Sequence, residues 1–239
     1  MADYGAFPRA VLASVDSPMG LISSFAFAPM YLYASMKGKF DFWRNLLEKT
    51  LLRPAATTSQ DDPAVDLSIP TLDAGCGRGL VLVQTAKIRA QLAGTMITET
   101  RLAKSVGIDL FIPSDQTGNS VDATCSNLVA EGVAEVTELY KASFLALPFE
   151  DSTFGLVTSS LALHNPKRKE DRLKAVAELG RVLKPGGTLL VLDLGGYVRY
   201  FRNHVRDDMG WRDVDMTWAG IGTSFGAWPT YVLKAKKPV

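Results

Sequence analysis

The segment Leu72-Asp73-Ala74-Gly75-Cys76-Gly77-Arg78-Gly79 constrains the fold more than any other stretch of this 239-residue chain. It follows an apolar run that reads as a strand, Ile69 to Asp73, and precedes a helical pattern that starts at Leu80. Glycines at alternate positions, Gly75, Gly77 and Gly79, let the backbone turn sharply and approach a ligand closely. The helix that follows offers its N-terminal amides to a carboxylate or another anion. Asp73, at the strand end, supplies negative charge for an ammonium or sulfonium group. The spacing differs from the dinucleotide fingerprint, in which two residues separate the second and third glycines.

Beyond this loop, apolar runs alternate with helical patterns, which is how a mostly parallel sheet covered on both faces is written in sequence. Further strands are expected at Ser105 to Asp109, Thr137 to Lys141, Phe154 to Ser159 and Thr188 to Asp193. Helices are expected from Leu80 to Arg89 and onward, from Ser120 to Glu131 with Ser120 or Asn119 as its cap, and from Lys169 to Val182. Lys184-Pro185-Gly186-Gly187 reads as a tight turn. Asp213 to Ala219 and Thr230 to Lys236 are close enough to pair antiparallel. The expected fold is therefore α/β: an open, doubly wound, seven-stranded, mostly parallel sheet with an antiparallel C-terminal hairpin and an N-terminal helical cap. The cap is placed at residues 1–54 and the sheet domain at 69–239. The Ala-, Thr-, Asp- and Pro-rich stretch Ala55 to Ser68 reads as an exposed connection.

The cap rests on two features. Lys39 to Leu52 is amphipathic, with Phe40, Trp43, Leu46, Leu47 and Leu51 near a 3.6-residue period. Before it, Ser17 to Met36 carries no charge, and its length permits a membrane span. Pro18, Gly20, Pro29 and four serines break that run, so it is read as a roof over the site, with peripheral membrane contact through residues 17–36 as the alternative. Lys plus Arg number 26 against 25 for Asp plus Glu, dispersed along the chain, so there is no electrostatic footprint for nucleic acid. Two cysteines, Cys76 and Cys125, argue against a disulfide framework or a zinc site, and they suit a reducing, cytoplasmic setting.

Four later segments carry chemistry. Val106-Gly107-Ile108-Asp109-Leu110 is an apolar strand ending in an acid, and a carboxylate at such an edge accepts both ribose hydroxyls of an adenosine. Lys141 to Asp151 contains Ser143 and Phe144 after the third strand. Thr158 to Asn165 contains Ser160 and His164 after the fourth. Arg181 to Val191 is a turn and a strand ending near Asp193.

Taken in order, these segments and the glycine loop resemble class I S-adenosylmethionine-dependent methyltransferases, with the small ubiquinone-biosynthesis-like (type 11) group nearest. The resemblance covers residues 69–239 and implies S-adenosyl-L-methionine as cofactor. It implies Asp73, Gly75, Cys76, Gly77 and Gly79 around the methionine portion, Asp109 and Leu110 at the ribose, Ser143 and Phe144 at the adenine, and Ser160 beneath the methionine. This chain departs from the pattern twice. Ser143 stands where the family usually has an acid, so that contact loses charge assistance. Gln91 to Arg101 lengthens the path to Asp109.

Transfer of a methyl group from a sulfonium is an in-line displacement in which protein groups position the partners, exclude water and manage an acceptor proton. Candidates for proton handling are His164, Asp193, Tyr33 and His204, in that order. The chain lacks an Asn/Asp-Pro-Pro-aromatic motif for base amines and the cysteines expected for arsenite, so the expected acceptor is a small hydrophobic or aromatic metabolite. Two rivals stand beside this reading: an isomerase or cyclase that holds the cofactor without spending its methyl group, and a non-catalytic cofactor-binding protein.

Overall fold

The structure, a computed structural model, describes residues 29–30, 32–52, 66–95, 101–112, 116, 118–224 and 228–239. Most of the uncharged stretch 17–36, and with it most of the expected roof, lies outside the described residues. Helix α1 (Lys39–Leu51) follows a wider π-type turn, Ala34–Gly38. Then come β1 (Thr71–Ala74), α2 (Leu80–Thr95), β2 (Ser105–Asp109), α3 (Val121–Ala130), β3 (Thr137–Lys141) and β4 (Phe154–Ser160). The chain continues with α4 (Lys169–Val182), β5 (Leu183–Leu194), α5 (Gly195–Asn203), β6 (Asp213–Trp218) and β7 (Thr230–Lys236).

The seven strands form one sheet in the order β3-β2-β1-β4-β5-β7-β6. Strands β1 to β5 are parallel, and β7 runs antiparallel between β5 and β6. The order reverses between β1 and β4, and in open α/β sheets ligands bind at that switch, outside the carboxyl ends of the strands.

Alternation along each strand decides which helices cover which face. On β5, Leu189 and Val191 pack among Val176 and Leu179 of α4 and Val198 and Phe201 of α5. Leu190 and Leu192 point the other way, onto Trp43, Leu47 and Leu51 of α1 and Val81 and Ile88 of α2. Helices α2 and α3 share a third cluster through Leu82, Val83, Ala86 and Leu128. Trp43, Leu47 and Leu51 are at most 5% exposed. Burial of three such side chains contributes roughly 5–9 kcal/mol, enough to hold a helix of this length on the sheet. The described part of the N-terminal region is thus a layer of the sheet domain, and among the described residues no helix is long and apolar enough to cross a membrane.

Local sequence chemistry explains most boundaries. Ser120 Oγ accepts the Ala123 amide at 3.1 Å and caps α3, as its sequence position predicts. Lys237 Nζ donates to the Gly180 and Leu183 carbonyls and closes the C-terminal end of α4.

Lys184 to Gly187 makes the expected tight turn, with Gly186 at φ +74° and the four residues looped out between Leu183 and Thr188. The turn falls within the bounds of β5, because the Gly186 amide donates to Lys237 O and the Lys237 amide to Gly187 O. No element is expected from sequence for the residues between Asp193 and Asp213. They form α5 and its π-type extension His204–Asp208, held by Val198, Phe201 and Val205 at helical spacing.

Candidate active site

The carboxyl ends of β1, β2, β4 and β5 bring the sequence candidates to one edge. Gly75, Gly77 and Gly79 have φ of +73°, +50° and +89°, the left-handed region that favours glycine. The Gly75 and Cys76 amides both donate to Ile108 O, at 2.8 and 2.9 Å, which ties the loop to β2. Cys76 is buried, so its thiol sits in the core and burial pushes it well up from its ordinary pKa. Only its backbone faces the loop chemistry.

The next amides point outward at acceptors. Gly77 N donates to Asp109 Oδ2 at 2.9 Å and Arg78 N to Gln116 Oε1 at 3.3 Å. Behind them, Thr124 Oγ1 and Asn127 Nδ2 of α3 hold the Gly77 and Arg78 carbonyls at 2.8 and 2.9 Å. The loop therefore presents donor groups, fixed from behind by a helix, to oxygen acceptors in front. That is the chemistry an amino-acid carboxylate presents.

Asp73 acts from below. It is 3% exposed, its Oδ2 accepts the Leu82 amide and its Oδ1 accepts Thr158 Oγ1. Burial pushes its carboxyl up to about 7 against those two hydrogen bonds, and the nearby Asp109 adds to the rise. Both oxygens are engaged by the protein, so the charge expected of Asp73 reaches the loop as a field beside the first turn of α2.

Asp109 is the hub of the outer side. Besides Gly77, its carboxylate accepts Phe111 N at 2.6 Å and Asn119 Nδ2 at 3.2 Å. Phe111 adopts φ +53° to make that bond, a strained geometry of the kind that clusters at functional sites. Asn119 is 3% exposed and its Oδ1 has no hydrogen-bond partner among the described residues, leaving one acceptor beside Asp109. Leu110 is 42% exposed, so its side chain lies at the rim. Ser143 Oγ accepts the Leu145 amide at 3.1 Å and shapes the turn after β3. Phe144 reaches the loop: a methyl group on Gly75 would lie 3.8 Å from its ring.

The segment after β4 closes the other side. Leu161 has φ +53°, held by its amide on Leu192 O, and this bend presses Ala162 against Gly75. Ser160 Oγ accepts Trp43 Nε1 at 3.0 Å, which fastens α1 to the end of β4. His164 Nδ1 lies 2.7 Å from Asp193 Oδ1, which also accepts the Leu194 amide at 2.8 Å. Asp193 is fully buried, whereas the His164 side chain keeps 23% exposure beside the Tyr197 ring. With Nδ1–H donated to the carboxylate, Nε2 carries the lone pair.

Two candidates lie elsewhere. Tyr33 is 51% exposed and rests on Gly222 of the β6–β7 connection. His204 pairs with Asp208 in the extension of α5, about 13 Å along the helix from its start, so it is not part of the dyad. Sequence reasoning did not find the roles of Trp43, Thr124, Asn127 or Thr158. Trp43 carried a signal only as an apolar-face residue of α1 and Thr158 only as the start of the segment after β4, whereas Gln116 lies in the polar turn Asp115 to Ser120 that sequence places beside the adenosine edge.

Comparison with known proteins supplies the rest. Residues 72–191 match the family model described as "Methyltransferase domain". A ubiquinone/menaquinone biosynthesis C-methyltransferase, UbiE of Pseudomonas fluorescens, is 36% identical over 101 residues, 42% of this chain and 38% of that protein. The chain spans less than two thirds of the length of such curated relatives. Among solved structures, the [4+2]-cyclase SpnF superposes with a TM-score of 0.56 at 16% identity, covering 82% of this chain and 80% of its own. A SAM-dependent methyltransferase from Aquifex aeolicus superposes with 0.51 at 19% identity, over 81% and 97%. These two likenesses concern the fold.

Proposed function

The chain belongs to the class I S-adenosylmethionine-dependent methyltransferase family, and from that premise we propose that it transfers a methyl group to a small hydrophobic or aromatic metabolite, with His164 accepting the proton that the acceptor loses. The observation that carries this reading is the His164–Asp193 pair on the strand edge that also holds the glycine loop, linked to it through Ala162 against Gly75. The residues fit the cofactor. The Gly77 and Arg78 amides, which here donate to Asp109 and Gln116, would turn to its carboxylate within the Gly75–Gly79 loop, with Asp109 and Leu110 at its ribose, Ser143 and Phe144 at its adenine, and Ser160 at the underside of its methionine. S-adenosylmethionine supplies an electrophilic methyl group on a sulfonium. The chain's own residues orient the acceptor, exclude water and take a proton at His164 Nε2, with Asp193 holding the ring and stabilising its charged form. Tyr33 is assigned to the periphery in this reading.

Calorimetric titration with S-adenosylhomocysteine tests the cofactor site. Asp109→Ala removes the acceptor of Gly77 N and of a ribose, and hydrogen bonds to a charged group are worth about 1.5–3 kcal/mol each. For one such bond, affinity is expected to fall by about tenfold to about 150-fold. No binding by the folded wild-type protein would end the proposal. A metabolite screen by product mass then separates transfer, which adds a methyl group, from isomerisation or cyclisation, which leaves the mass unchanged.

A pH dependence follows from Asp73. Its folded pKa of about 7 lies above the ordinary value near 4, so the stability it contributes is full below about pH 4 and is lost as pH rises through about 7. A bound ammonium or sulfonium favours the ionised form, so binding releases a proton and affinity weakens as pH falls through that window. Asp73→Asn removes the titration and keeps both neighbours satisfied: its oxygen accepts Leu82 N, and its amide donates to Thr158 Oγ1, which then turns to Leu72 O. Calorimetry near pH 6.5 in buffers of different ionisation enthalpy should show proton release in the wild type and none in the variant. Equal release in both would remove Asp73 as its source.

A further inference from the structure

Seven large apolar side chains among the described residues are more than half exposed, and five of them belong to two adjoining segments: Tyr33 at 51%, Met36 at 65%, Trp218 at 56%, Ile221 at 60% and Trp228 at 67%. The chain's four tryptophans divide cleanly. Trp43 and Trp211 are buried, and both exposed ones are in this set.

The two segments pack as one body. The turn Ala34–Gly38 meets the turn Ile221–Thr223 so closely that a methyl group on Gly38 would lie 1.8 Å from Gly222 O, and one on Gly222 would lie 3.4 Å from the Tyr33 ring. Trp218 ends β6 opposite Tyr231, the Ala219 amide donates to Thr230 O, and the Thr223 and Thr230 hydroxyls are 2.7 Å apart. Trp228 is two residues before Thr230 in the same connection. Thr230 pairs with Leu194 at the carboxyl end of β5, so this surface borders the edge that holds Asp193 and His164.

We propose that this surface docks the protein on a neutral lipid bilayer by inserting its aromatic side chains at the interface. Three observations favour that occupant. Tryptophan and tyrosine are the residues favoured at the level of lipid headgroups, where one end of the ring is wet and the other apolar. Tyr33 and Met36 close the charge-free stretch Ser17 to Met36, so the sequence leading into the patch carries no charge. The charges around these segments are of mixed sign: Lys37 is paired with Asp41, Arg44 is exposed on the same helix, and Asp213 and Asp215 of β6 stand opposite Lys236 and Lys234. Insertion, rather than attraction to anionic headgroups, is what this surface can do. Docked so, it turns the strand edge with the His164–Asp193 pair toward the bilayer, a source of apolar acceptors.

The test is flotation of the full chain with phosphatidylcholine vesicles at low and high salt. The protein is expected to float with the vesicles, and salt is expected to change little. Trp218→Ser with Trp228→Ser should lower partitioning by at least about tenfold, with thermal midpoint and S-adenosylhomocysteine affinity unchanged. Trp228→Phe, which keeps an aromatic ring, should still float but lose part of the tryptophan quenching caused by brominated lipid. Failure of the wild type to float, or equal flotation of the double variant, overturns the proposal. So does a dimer, seen by light scattering, that the double variant dissolves, since the patch is then a contact between copies. Vesicle binding is read without turnover, so its failure and that of the methyl-transfer reading are distinguishable.

Discussion

Gly75→Ala is expected to bring cofactor binding down by about 30-fold to several thousandfold. Two independent strains combine there. Gly75 has φ +73°, where a side chain costs about 1–2 kcal/mol. The added carbon would also lie 2.3 Å from Ala162 Cβ, and forced overpacking of this kind costs about 1–3 kcal/mol. Neither neighbour yields easily. The Gly75 amide is bonded to Ile108 O, and Ala162 follows a residue already held at positive φ. The strain is relieved by moving the loop, which takes the Gly77 amide away from Asp109, or by lowering overall stability. Calorimetry with S-adenosylhomocysteine and a thermal melt read the two outlets separately. Adding Ala162→Gly to Gly75→Ala removes the clash and leaves the dihedral strain, so the pair should recover part of the loss and no more. Wild-type affinity in Gly75→Ala would mean that ligand binds away from this loop.

That the loop, Asp109 and the parallel sheet were legible in sequence has a common cause. Each is written locally: glycines where positive φ is required, an acid at the end of an apolar strand, and apolar runs of strand length between helical periods. What escaped is written across distance. Trp43 and Ser160 are 117 residues apart, and nothing in either segment announces their hydrogen bond. Asp73 was legible as an acid at the loop, but its two partners, Leu82 N and Thr158 Oγ1, follow from how α2 and β4 flank β1. Helix α5 carried a readable signal in Val198, Phe201 and Val205, yet the Gly195-Gly196 pair at its start reads as a break. The candidacy of Tyr33 came from its place in an aromatic stretch, which does not say which surface the ring lies on. His164 and Asp193 were each singled out, but their pairing depends on register. Ser160 lies opposite Leu192 across β4 and β5, so the residues just beyond both strand ends converge.

That convergence sets the second large expectation. On the acceptor identified by mass, His164→Ala should lower kcat by about a hundredfold to ten-thousandfold while affinity for S-adenosylhomocysteine stays within about twofold, the range and pattern of a lost proton acceptor. Added imidazole should restore part of the rate, which repair of a merely structural defect would not do. Asp193→Asn is the finer probe. Oδ1 receives both the His164 ring and the Leu194 amide, so the asparagine oxygen takes that position and its amide nitrogen takes the Oδ2 position, which has no hydrogen-bond partner among the described residues. The ring keeps its tautomer and orientation, and only the buried negative charge is lost. A drop in kcat with little change in KM would show that the charge acts on the imidazolium formed as the proton arrives, whereas a change in KM alone would assign the pair to acceptor binding. Full activity in His164→Ala would mean that the acceptor reacts without giving up a proton to the protein, as an already ionised or uncharged nucleophile does, and that the dyad serves the bend after β4.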